Sequence, residues 1–139
     1  MMPRISQSLL ILGSLLFLSA CSSGGTSPLE ARAMKNPVEP TEKTIASGKK
    51  YYDRYCAECH GATGKGDGEK AAVLAKAGEA KTPDLTDDKW DHGSTDGEVF
   101  VNIRDGVGRN GVMKGLNGKP GISDTEMWSI VNYVRTLKQ

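Results

Sequence analysis

The sequence predicts a small helical domain. Three observations point there. Apolar residues recur at helical spacing behind Thr or Ser caps. Segments with the alternation of a β-strand are almost absent. A Cys-x-x-Cys-His motif follows directly on one of the helical stretches. Residues 41–55 form the first predicted helix: Thr41 can cap it, Ile45, Tyr52 and Tyr55 fall near one face, and it delivers Cys56 at its C-terminal end. Residues 69–80 are Ala-rich and predict a shorter helix, weakened by Gly78. Residues 96–105 follow a capping box, Thr95-Asp96-Gly97-Glu98, with Val99, Phe100 and Ile103 as the apolar stripe. Residues 124–137 follow a second box, Ser123-Asp124-Thr125-Glu126. Met127, Ile130, Val131, Val134 and Leu137 make the stripe there.

Residues 1–20 predict an export signal. Arg4 supplies a positive start, and Leu9 to Ala20 is an apolar run too short for a comfortable membrane span. The run ends in Leu18-Ser19-Ala20-Cys21, which resembles the lipobox of bacterial lipoproteins. The resemblance implies that residues 1–20 are removed and that Cys21 becomes a lipidated N-terminus. An ordinary signal cleaved nearby, or a retained helical anchor, are the competing readings. Several acyl chains give a stable anchor where a single chain does not. Residues 21–40 carry Ser, Gly and three prolines, Pro28, Pro37 and Pro40, without apolar periodicity. They predict a flexible tether ahead of a domain spanning 41–139.

Cys56-Ala57-Glu58-Cys59-His60 spells the attachment motif of a c-type haem. The spacing lets two thiols add to the two vinyl groups of one porphyrin, and the adjacent imidazole can bind the iron axially. A zinc site would need four spaced ligands, and only His92 stands beside the motif as a further candidate. A thioredoxin-like site would need strand–helix alternation. Of the three cysteines, two belong to the motif and Cys21 to the export signal, so none remains for a disulfide.

Charge is uninformative in sum, and nothing in it suggests nucleic-acid binding. The chain has 18 basic and 17 acidic side chains; loss of Arg4 with the signal leaves 17 of each. Lys65, Lys70, Lys76 and Lys81 cluster after the motif, as a docking face for an acidic partner or as a solvated helix face. The glycine-rich run 61–68 lacks the spacing of a phosphate loop and predicts tight packing of backbone against the haem.

Over residues 45–137 the chain resembles the small class I bacterial cytochromes c. Gly48 and Tyr52 stand before the motif at the family's spacing, where the first helix crosses the last, with Ile130 and Tyr133 as the matching residues. Pro83-Asp84-Leu85 resembles the family's proline segment beside the proximal histidine. The resemblance implies an all-α fold, helices wrapped around one haem c held by Cys56 and Cys59, with His60 as proximal ligand. Five methionines exist. Met1 and Met2 leave with the signal, Met34 lies in the tether and Met127 in a buried stripe, so Met113 is the expected distal ligand. Lys114 departs from the family, where proline commonly follows. His92 is the rival ligand. Trp90 either donates its ring N–H to a propionate or packs at the edge of the core.

The implied function is electron transfer, not enzyme catalysis. His60 and Met113 would leave no open iron position. A haem enzyme or gas sensor with a labile sixth ligand is the alternative. Partners would be redox proteins, by transient docking or within a respiratory complex, and a membrane through Cys21. The expected location is the periplasmic or extracytoplasmic side.

Overall fold

A computed structural model describes residues 25–79, 81–108 and 111–138. The segment expected to be an export signal, and Cys21, lie outside the described residues. Among the described residues the main chain forms six helices and one short ladder: α1 (Pro28–Ala33), α2 (Glu42–Tyr55), α3 (Ala57–His60), α4 (Glu69–Lys76), α5 (Asp96–Asp105), β1 (Gly106–Val107), β2 (Met113–Lys114) and α6 (Asp124–Leu137). The helices predicted at 96–105 and 124–137 occur with those bounds, and the first differs only in that Thr41 is the cap. The Ala-rich helix stops at Lys76, ahead of Gly78 at φ 79°.

The caps explain the starts. Thr95 Oγ1 accepts from Glu98 N while Glu98 Oε2 accepts from Thr95 N at 3.0 Å. Ser123 and Glu126 repeat the arrangement, and Thr41 pairs with Thr44 instead of a carboxylate. Each such cap contributes about 1 kcal/mol by satisfying amides that have no partner within the helix.

The core forms where α2 and α5 meet α6. Tyr52, Phe100, Met127, Ile130 and Val131 are all but fully buried. Ile45 and Tyr55 of α2 are half-buried against the same cluster. Helices α2 and α6 cross at Gly48, where an added Cβ would come 1.9 Å from Ser129 O and 2.9 Å from Tyr133 Cβ. Tyr52 meets Tyr133 edge-on with ring centroids 5.1 Å apart, and Phe100 stacks on Trp128 at 4.0 Å.

Residues 26–38 are not the free tether that their composition suggests. Helix α1 lies on α5, with Ala31 buried and its carbonyl over Gly97, where a Cβ would stand 2.0 Å away. Met34, also assigned to the tether, packs half-buried against the core. Arg32 Nε donates to Glu98 Oε1 at 3.2 Å. Beyond α1, Asn36 Nδ2 donates to Asn132 Oδ1 at 2.8 Å, and Asn132 Nδ2 donates to Val38 O at 2.9 Å. The arm lacks periodicity because it docks through one small residue and paired amides instead of an apolar stripe.

One feature departs from an all-helical chain. Gly106 pairs with Lys114 and Val107 with Met113 in an antiparallel ladder. Leu116 N donates to Ile103 O at 3.0 Å and Asn117 N to Arg104 O at 2.9 Å, so the returning strand satisfies carbonyls at the end of α5.

Candidate haem site

The motif sits on a single helical turn. Cys56 closes α2 and opens α3, with Cys56 N donating to Tyr52 O at 2.8 Å and His60 N donating to Cys56 O at 2.9 Å. One turn therefore carries both thiols and the imidazole, as the spacing requires. Cys56 packs against the core. Burial pushes its thiol up to about 12, with the neighbouring Cys59 adding to the effect. The Cys59 thiol is also raised, mainly by burial. Neither is joined in a disulfide.

His60 is depressed by burial, and the Pro83 carbonyl works in the opposite sense. The Pro83 contact does not meet hydrogen-bond geometry. His60 Nδ1 is thus the one buried side-chain nitrogen or oxygen among the described residues without a partner. An orphaned nitrogen beside a carbonyl is what a metal-binding histidine needs, because a hydrogen bond at Nδ1 fixes the tautomer and leaves Nε2 for the metal. The resemblance placed Pro83 near His60, and the protein does so.

Glycines bring that segment in. Gly66 N donates to His60 O at 2.9 Å, Gly68 N to Cys59 O at 3.2 Å, and Leu85 N to Gly64 O at 2.7 Å. A Cβ on Gly68 would meet Glu58 O at 2.3 Å, and one on Gly66 (φ 73°) would meet Thr82 O at 2.5 Å. The run 61–68 therefore packs backbone on backbone, linking α3 to residues 82–85. Tyr52 Oη donates to Gly61 O at 2.8 Å, a buried bond that sequence reading missed. Its signal was the aromatic one turn ahead of Cys56.

Met113 is half-buried in β2 and packs against the core cluster. Expected in a loop, it is instead held by the ladder partner Val107. Met127 is in the core, 2% exposed. His92 is exposed, and its carbonyl accepts from Asn102 Nδ2 at 2.9 Å. Trp90 Nε1 donates to Asp87 O at 3.0 Å and the Arg135 guanidinium lies 5.3 Å from its ring, so its donor is already used. Lys65, Lys70, Lys76 and Lys81 are all exposed, and Lys70 pairs with Glu58 at 3.3 Å. Among the described residues no three His, Cys, Asp or Glu side chains converge as a metal site, which disfavours zinc. Paired thiols on one turn and an imidazole with an inward Nδ1 fit a c-type haem instead.

Comparison with known proteins agrees. The family model of cytochrome c matches residues 45–138. The cbb3-type cytochrome c oxidase subunit CcoP of Rubrivivax gelatinosus is 29% identical over 114 residues, covering 79% of this chain and 32% of that one. The corresponding subunit FixP of Bradyrhizobium diazoefficiens is 33% identical over 100 residues, covering 70% of this chain and 30% of that one. The chain thus spans about a third of the length of the curated relatives it matches. Among solved structures, the reducing HAO-like protein complex of Kuenenia stuttgartiensis aligns with a TM-score of 0.63 at 32% identity, over 76% of this chain and 50% of that one. The KustC0563 c-type cytochrome shares the fold, at a TM-score of 0.50 and 24% identity over 66% of this chain and 98% of that one. A haem-attachment turn, a histidine turned toward a proline carbonyl and a match across nearly all of the helical body lead to one conclusion: this chain belongs to the cytochrome c family.

Proposed function

We propose that this protein is an exported, membrane-anchored electron carrier or complex subunit, with His60 and Met113 as the axial ligands of a haem bound through Cys56 and Cys59. The observation that carries the reading is the half-buried turn α3, where the His60 Nδ1 atom is itself buried without a hydrogen-bond partner and the Pro83 carbonyl lies near the imidazole. In this reading Pro83 O would accept the Nδ1 proton, which would leave Nε2 free for the iron. Met113 offers its thioether from a half-buried position anchored by Val107. The bound haem supplies a one-electron couple, and a His/Met pair raises its potential relative to two histidines. The polypeptide holds both ligands in place in either oxidation state, and no proton need move.

Similarity to oxidase subunits supports a partner within a respiratory complex. No described helix is long and apolar enough to cross a membrane. Anchoring is assigned to a lipid on Cys21, after removal of residues 1–20, on the likeness of Leu18-Ser19-Ala20-Cys21 to a lipobox. The test is the visible spectrum of the exported protein, oxidised and reduced. A c-type spectrum with the weak red methionine-to-iron band, unchanged by carbon monoxide, is expected. A spectrum lacking that band and shifted by carbon monoxide would replace the carrier with a haem enzyme or sensor.

A further inference from the structure

The folded body begins much closer to Cys21 than the composition suggests. Thr26 is already fastened to it: Arg104 Nη2 donates to Thr26 Oγ1 at 2.7 Å. Ser27 then caps α1, Ala31 seats on Gly97, and Asn36 and Val38 bond to Asn132. A tether reaching to residue 40 would allow about 65 Å of extension, whereas the five steps from Cys21 to Thr26 allow at most about 18 Å.

The helix nearest the anchor carries an exposed apolar side chain. Leu29 is 79% exposed, and the only other exposed large apolar side chain among the described residues is Val73 on α4. Leu29 precedes the buried Ala31 by two positions, which places it about 200° around the helix, on the side facing away from α5. A single exposed leucine needs no explanation by itself. Here it lies eight residues after Cys21, the position proposed to bear lipid, and a spacer of at most about 18 Å would keep the helix near the bilayer surface.

We infer that α1 is a membrane-contact helix: its Leu29 face lies in the lipid interface, so the acyl chains and Leu29 together fix which face of the cytochrome domain meets the bilayer. The inference rests on the lipid anchor proposed at Cys21. It replaces a roaming domain on a long leash with one of restricted orientation. Arg104, at the end of α5 and beside the Met113 ladder, sits at the fastened edge.

The test uses the full, haem-loaded, reduced protein in phosphatidylethanolamine–phosphatidylglycerol vesicles. The native cysteines are consumed by lipid and haem, so L29C and, separately, V73C each provide one site for a nitroxide label. Mass spectrometry reports whether Cys21 is acylated. With an acylated protein, the label at position 29 should collide several-fold more with lipid-soluble oxygen than with a water-soluble nickel chelate, and the label at 73 should show the reverse. A watery label at 29 overturns the inference while leaving the anchor intact. A label at 29 shielded from both reagents overturns it in favour of a protein neighbour, and a lipid signature at both positions overturns the orientation. An unacylated, soluble protein removes the anchor and the inference with it.

Discussion

Replacing Gly48 with alanine should destabilise the protein, although alanine is the better helix former. In the interior of α2 the exchange gains about 1 kcal/mol of helix propensity. At the crossing with α6 the new methyl would lie 1.9 Å from Ser129 O, whereas ordinary contact begins at 3.4 Å, so the helices would have to part by about 1.5 Å. The opposing atom is backbone carbonyl, not the end of a flexible side chain. Overpacking of this kind costs about 3 kcal/mol, at the upper end of the usual range. Parting the helices also loosens the Tyr52–Tyr133 edge contact at 5.1 Å. The net loss is about 2 kcal/mol, which for a domain of this size lowers Tm by about 8–16 °C. Thermal unfolding of the haem-loaded G48A protein, followed by far-ultraviolet circular dichroism, measures it. An unchanged or raised Tm would mean that propensity dominates and that the close crossing does not exist in solution.

Gly97→Ala should act more locally. Its methyl would stand 2.0 Å from Ala31 O, so α1 should lift from α5. Residues 26–38 should then become cleavable by a protease while the haem spectrum is unchanged. Met113→Ala should retain covalent haem, lose the red methionine band and bind carbon monoxide; an unaltered spectrum would exclude Met113 as the ligand. The Glu98 carboxyl is held at about 2, below its ordinary 4.5, by the Thr95 amide and hydroxyl and by Arg32. A carboxyl depressed by folding adds stability that is complete above 4.5 and is lost as pH falls through 4.5 towards 2. E98Q should therefore unfold less steeply with acid, and urea midpoints of both proteins between pH 5 and 2 would show the curves converging.

The sequence exposed what is local. Thr41, Thr95 and Ser123 mark the helix starts because a cap is a bond between residues three apart. Cys56, Cys59 and His60 were legible because one turn of helix fixes their relation. Pro83 was read from likeness to a family, and Met113 is proposed from the same likeness together with elimination of the other methionines. What stayed hidden was tertiary. Gly97 reads as a weak point in a helix until Ala31 is seen upon it. Asn36 and Asn132 are 96 positions apart, and an amide pair leaves no periodic trace. The β1–β2 ladder has two residues per strand, too few for alternation to register. Trp90 admits two readings in sequence because an indole satisfied by Asp87 O looks there like one awaiting a partner.

The ladder after α5 also sets how the protein can breathe. Ile103 O and Arg104 O have accepted Leu116 N and Asn117 N, so the end of the helix and the segment behind Met113 close each other. Neither can fray alone without breaking bonds of the other, and the two form one opening unit. Hydrogen exchange at the Leu116 and Asn117 amides should therefore report the same free energy. A variant that weakens the last turn of α5 should lower protection at both amides by the same factor, and with it the time for which the methionine stays in place.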